Sequence, residues 1–375
     1  MTDALKSALG LKTAPSYYCL EASDIPDDEY TPSVPVHDWI ARCSTAGPEG
    51  FAAGSLSKPS KLSTAVMIER TFGVPFYFFL NVLPLLLPLA YFTGTLWLLL
   101  VYAVPLSLGF AACSFLPRNK LGKGMEALQY AYTERNTSKY LSLKMLWPKA
   151  LHYPAMSKQP LIFCVVPHGY APLGITAYPL WSKLFGPLTR WTTAPVVLKI
   201  PIIGSGLRAI GYLPAKTRDI EDTLTKKEQS VGVVLDGIAG MFQVDDSVEK
   251  AYVNSRKGIV KIALRSGAPL VPVYAFGHTS LWRVVTDPFG LLQKLSIKLD
   301  VSLVLCLGRW FWPLGPPLRT PVLVALGDPI VCPKTAEPSK EMVEEYHAKL
   351  CAGYQKVFDT HKAAYGWEKK SLQLV

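Results

Sequence analysis

No C-x-x-C pair occurs in this 375-residue chain, and its seven cysteines are odd in number and irregularly spaced. That excludes a disulfide-built scaffold, argues against a cysteine zinc site and points to a reducing compartment. Charge is scarce as well, at 18% of residues, whereas ordinary soluble domains carry about 25%. With half the residues hydrophobic and a mean hydropathy of +0.22, a disordered chain is excluded and the composition leans towards a membrane. G-x-S-x-G is missing (the nearest run, Gly204-Ser205-Gly206, lacks the spacing), which disfavours a serine-hydrolase elbow. H-E-x-x-H zinc chemistry has no motif either, and the first residues lack the apolar run of a secretory signal.

What charge there is sits unevenly. Lys and Arg total 39 against 28 Asp and Glu, a net of +11. Residues 1–65 hold eight acids and five bases, so the rest of the chain stands at +14. A basic body suits anionic lipid or a phosphate-bearing substrate. Nucleic acid is not expected, because the cations are scattered without a stripe or a binding motif. The polar segment 1–65, acidic at Asp24, Asp27, Asp28 and Glu29, reads as a mobile cytosolic tail.

Between Arg70 and Arg118 lie 47 consecutive uncharged residues. Two apolar stretches, 74–92 and 96–116, are separated by Thr93-Gly94-Thr95, and each is close to the roughly 20 residues that cross a bilayer as helix. Pro84, Pro88 and Pro105 are tolerated in such helices. The flanking cations Arg70, Arg118, Lys120 and Lys123 place both ends in the cytosol. The expectation is a membrane hairpin over 66–118, followed by an amphipathic linker over 119–155 and a catalytic domain over 156–375.

In that last region, β-branched runs at 161–166, 231–235, 270–276 and 322–326 read as buried strands, and 256–265 and 339–364 as helices. Strands alternating with helices predict an α/β domain with a largely parallel central sheet. The run LIFCVVPHGYAPLG (161–174) takes a strand into Pro167-His168-Gly169 just ahead of a helix-forming segment. That puts an imidazole at the carboxyl end of a strand, the edge where open α/β sheets bind ligands.

The blocks around that histidine resemble the type-2 diacylglycerol acyltransferases, which include monoacylglycerol and wax-ester acyltransferases. Val166-Pro167-His168-Gly169 is similar to the family's H-P-H-G, and RKGIVKIALRSGAPLVPVYAFG (256–277) to its second long block. LKIPIIGSGLRAIGYLPAKTRDI (198–220), the run from Gly308-Arg309 to Gly327-Asp328-Pro329-Ile330, and FDTHKAAYGW near the end also match. The resemblance implies acyl-CoA-dependent esterification of diacylglycerol to triacylglycerol, with His168 as general base, Gly169 as backbone oxyanion donor, and no metal or cofactor beyond acyl-CoA as substrate. It also implies that Arg256, Lys257, Gly258 and Lys261 hold coenzyme A, although a solvated helix face is the competing account. An endoplasmic reticulum address, with lipid droplets as a second site, follows in the same way. Oligomeric state is left open.

Three positions depart from the family. Val166 replaces the first His of the motif, Gly240 stands where a Glu is expected, and His278 follows Phe276-Gly277 where a Glu is usual. Leu173 lies where related enzymes keep an Asp that orients the imidazole. Asp236, ahead of Gly237, is a candidate for that carboxylate, with a strand-ending turn Asp an equal alternative. His278 reads as a surface-loop residue, and Trp310, Phe311 and Trp312 as interface anchors or core. Monoacylglycerol and long-chain alcohol acceptors, or a non-catalytic membrane-hairpin lipid-binding relative, remain as alternatives.

Overall fold

The computed structural model describes residues 16–25, 42–59, 135–151, 159–176 and most of 184–375. The 66–118 segment and the expected hairpin therefore lie outside the described residues, among which no helix is long and apolar enough to cross a membrane.

In chain order the elements are β1 (Tyr17–Glu21), β2 (Ser44–Ala46), α1 (Arg135–Tyr140), β3 (Lys144–Pro148), β4 (Ile162–Val166), α2 (Leu173–Thr176), β5 (Thr189–Thr193) and β6 (Leu213–Pro214). They continue with α3 (Thr217–Thr225), β7 (Ser230–Val234), β8 (Val248–Ala251), α4 (Gly258–Ser266), β9 (Leu270–Phe276) and β10 (Arg283–Val284). The last are α5 (Leu291–Leu299), β11 (Cys306–Leu307), β12 (Leu323–Leu326), α6 (Lys340–His361) and β13 (Ser371–Leu374).

Nine strands form one sheet in the order β2-β1-β3-β12-β9-β4-β7-β5-β6. From β9 to β6 every neighbour is parallel, and β12 turns the direction by pairing antiparallel with β9. The sheet is thus largely parallel, and the fold is α/β.

Its central strands are apolar without alternation because both faces are covered. In β4, Phe163 and Val165 join one core cluster, with Trp147, Phe185 and Trp282. Ile162, Cys164 and Val166 join the other, under α3, α4 and α6. Helix α4 buries Ile259, Val260, Ile262, Ala263 and Leu264, and stops at Gly267, whose φ of 76° is left-handed. Ser339 caps α6, its side chain accepting the Met342 N–H at 3.2 Å.

The expected boundaries need correction. The tail over 1–65 is not free of the body throughout: β1 pairs with β3 along all five residues, and Leu20 and Ala22 have no exposed surface. The stretch 119–155 is not only a linker, because β3 lies buried inside the sheet. Lys144 is buried there with its ammonium on the Lys58 carbonyl (2.9 Å) and the Glu21 carboxylate (3.6 Å), which ties the two segments together. The sheet therefore begins well before residue 156.

Candidate active site

Three adjacent parallel strands, β7, β4 and β9, each release a titratable side chain two residues beyond their last strand residue: Asp236, His168 and His278. Parallel neighbours end at the same edge, so the topology alone gathers these residues above the middle of the sheet.

His168 is partly buried and belongs to a turn in which Gly169 has φ 59°. Its ring Nδ1 lies 2.9 Å from the Gly169 carbonyl. A carbonyl only accepts, so Nδ1 carries the hydrogen and Nε2 keeps its lone pair. Burial pushes the imidazole pKa below its usual value, against a smaller upward pull from that carbonyl. The ring is neutral at neutral pH.

Asp236 is wholly buried and reaches this turn through its backbone: Oδ2 accepts the His168 N–H at 2.8 Å. It anchors the loop and leaves the orientation of the imidazole to Gly169, which corrects the expectation of a carboxylate placed on the ring. Burial raises the carboxyl pKa to about 7, opposed by the His168 amide and by Arg256. Among the described residues its other oxygen, Oδ1, has no hydrogen-bond partner.

The departure at Gly240 has a steric reason. A Cβ there would sit 2.0 Å from Asp236 Oδ2 and 2.5 Å from its Cγ. The carboxylate rooted at 236 fills the room that a side chain at 240 would need.

His278 is not a surface-loop residue: it has no exposed surface. Its Nε2 accepts the Gly174 N–H at 3.1 Å, so Nδ1 bears the hydrogen it gives to the Pro167 carbonyl at 2.9 Å. One ring therefore joins both sides of the His168 turn, from Pro167 to the start of α2. Burial drives its pKa down to about 4. A Cβ on Gly169 would meet the His278 carbonyl at 2.6 Å, so that glycine is required by contact as well as by φ. The sequence signal for this role was the position two residues past a strand.

The expected coenzyme A group is only partly assembled. Arg256 is exposed, and its guanidinium lies 3.1 Å from the position of a Cβ on Gly237, which itself has φ 55°. It stands beside the turn that carries Asp236. Gly258 and Lys261 are exposed at and after the start of α4, with open space over Gly258. Lys257 instead pairs with Glu344 of α6. Phe311 is exposed, whereas the side chains of Trp310 and Trp312 lie outside the described residues.

Comparison with known proteins identifies the family. The family model for diacylglycerol acyltransferase matches residues 89–375. Human diacylglycerol O-acyltransferase 2-like protein 6 is 27% identical over 315 residues, covering 78% of this chain and 91% of that protein. Human acyl-CoA wax alcohol acyltransferase 2 is 28% identical, over 64% of this chain and 76% of its own length. Bovine 2-acylglycerol O-acyltransferase 1 is 29% identical, over 55% and 66%.

Proposed function

The chain belongs to the diacylglycerol acyltransferase family, and on that premise we propose that it moves an acyl group from acyl-coenzyme A to the hydroxyl of a membrane lipid, diacylglycerol foremost, at His168. The observation that carries this reading is a neutral imidazole whose Nδ1 is committed to the Gly169 carbonyl, with Nε2 left as the basic atom.

The thioester is already activated, so the difficulty lies with the hydroxyl, a poor nucleophile until its proton is removed. As the oxygen attacks the thioester carbon, Nε2 takes that proton. The negative charge then resides on the former carbonyl oxygen, where the Gly169 amide is assigned to receive it. Collapse re-forms the carbonyl and breaks the carbon–sulfur bond. The imidazolium returns its proton to the coenzyme A thiolate, leaving the ester and a neutral ring. His278 and Asp236 hold the turn throughout, and Arg256 and Lys261 supply exposed cations for coenzyme phosphates.

Monoacylglycerols and long-chain alcohols are the second reading, favoured by the relatives named for 2-acylglycerol and wax alcohol. Each acceptor is a lipid, so an endoplasmic reticulum membrane is the proposed setting. The test supplies radiolabelled acyl-coenzyme A and a panel of acceptors to membranes containing the protein. Transfer should appear with at least one acceptor and fall about 100-fold or more in His168→Ala. No transfer to any lipid alcohol would leave a non-catalytic lipid binder and overturn the proposal.

A further inference from the structure

Past Trp282 the chain leaves the main sheet and builds a small outlying unit from β10, α5 and β11. Six apolar side chains in and beside it are exposed. Val285, Phe289, Leu291, Leu295, Leu305 and Phe311 are all exposed, Phe289 by 77% and Leu291 by 64%. Six of the eight exposed large hydrophobic residues among the described residues fall in this one segment, so they are not scattered singly.

The segment is ordered by its own contacts. The Val285 N–H donates to the Leu305 carbonyl at 2.8 Å. The Asp287 carboxylate accepts the Leu291 and Gln293 N–H groups at 3.1 and 2.9 Å, fixing the first turn of α5. Leu291 and Leu295 share a face one turn apart. Cations stand among these side chains: Lys294 is exposed on α5, and the Arg283 guanidinium lies 4.7 Å from the Phe311 ring centre.

Leucines and phenylalanines flanked by Lys and Arg, on a body carrying net positive charge, complement an anionic bilayer surface. A second copy of the chain would instead bring like charges together. The unit is also rooted beside the catalytic turn. Trp282 meets the ring of Tyr170, two residues after His168, edge-on at 5.1 Å between centres, and its Nε1 donates to the Gly315 carbonyl at 2.9 Å.

We propose that this face docks on an anionic phospholipid bilayer and forms the lip over which a bilayer-dissolved acceptor reaches His168. The route to His168 rests on the acyl-transfer reading; the docking does not.

The experiment uses the full chain in vesicles of phosphatidylcholine and phosphatidylserine, with Cys43, Cys113 and Cys351 replaced by serine. Single nitroxide labels are placed at positions 289, 295 and 305, with exposed Glu337 as the control site. Oxygen should relax the three labels more than a water-soluble nickel chelate does, and the order should reverse at 337. Aqueous behaviour at all four sites, or label–label broadening at 289 from a second copy, overturns the proposal. A Leu291→Glu/Leu295→Glu variant then tests the route. Transfer to bilayer-borne acceptor should fall about tenfold while transfer to a dispersed short-chain acceptor stays within about twofold. Equal loss on both acceptors, or on neither, removes the lip. A wild-type chain that acylates nothing sinks the acyl-transfer reading and leaves the labelling result to stand.

Discussion

His168 owes its assigned role to two small features, a hydrogen bond from Nδ1 and the burial that keeps the ring neutral. Because the base must be unprotonated, transfer should decline as pH falls through an apparent pKa below 6.5, the usual histidine value. A profile that breaks above pH 7 would remove the neutral imidazole from the step. Asp236 was visible in the sequence as a carboxylate near the histidine, but its partner, a backbone amide, was not. That changes what its variants should do. Asparagine retains an oxygen for the His168 N–H, so Asp236→Asn should keep most of the activity, whereas Asp236→Ala loses the anchor and should drop it about tenfold or more. Similar rates for the two variants would contradict the anchoring role. His278 was harder to read, because its place two residues past a strand does not by itself separate a loop histidine from one that bridges Pro167 and Gly174. His278→Ala should lower kcat more than it raises KM, since the loop moves while Arg256 and Lys261, the cations proposed for coenzyme A, stay, and His278→Gln should recover part of the loss.

At the level of elements, the runs at 161–166, 231–235, 270–276 and 322–326 were recognisable as strands because continuous apolar burial leaves a local signature. Helices α4 and α6 were legible too, through their spacing. Strands β1 and β3 were not. YYCLE lies in a polar stretch and KMLWP carries a Lys and a Pro at its ends, and what pairs them is a partner more than a hundred residues away, which no local window contains. The apolar run at 66–118 announced itself, but lies outside the described residues. The contribution of β1 is measurable. Leu20 has no exposed surface, so Leu20→Ala should cost about 2–5 kcal/mol and lower Tm clearly. An unchanged melting temperature would show that β1 is not part of the folded body.

For the molecule as a whole, buried titratable groups of opposite sense bracket the pH range of stability. His278 and His361 are both buried and both driven down to about 4. The unfolded chain binds their protons below about pH 6.5 while the folded chain refuses them, so stability falls as pH drops from 6.5 towards 4. Asp236 acts the other way. Its folded pKa of about 7 lies above the ordinary 3.8, so its share of stability is complete at low pH and is lost as pH rises towards 7. Thermal melts across pH 4–8 should therefore peak at an intermediate pH, and Asp236→Asn should flatten the alkaline side. A curve rising steadily to pH 8 would contradict that burial.

The pairing of Tyr17–Glu21 with Lys144–Pro148 has a consequence for how the chain is threaded. Two strands zipped side by side must share one aqueous compartment. Were the intervening residues to enter a lipid layer, they would have to come back out on the side they started from. A single crossing, or any odd number, is incompatible with a stitched sheet. During synthesis the first strand can meet β2 early, but its pairing with β3 has to wait until residues 144–148 have emerged from the ribosome.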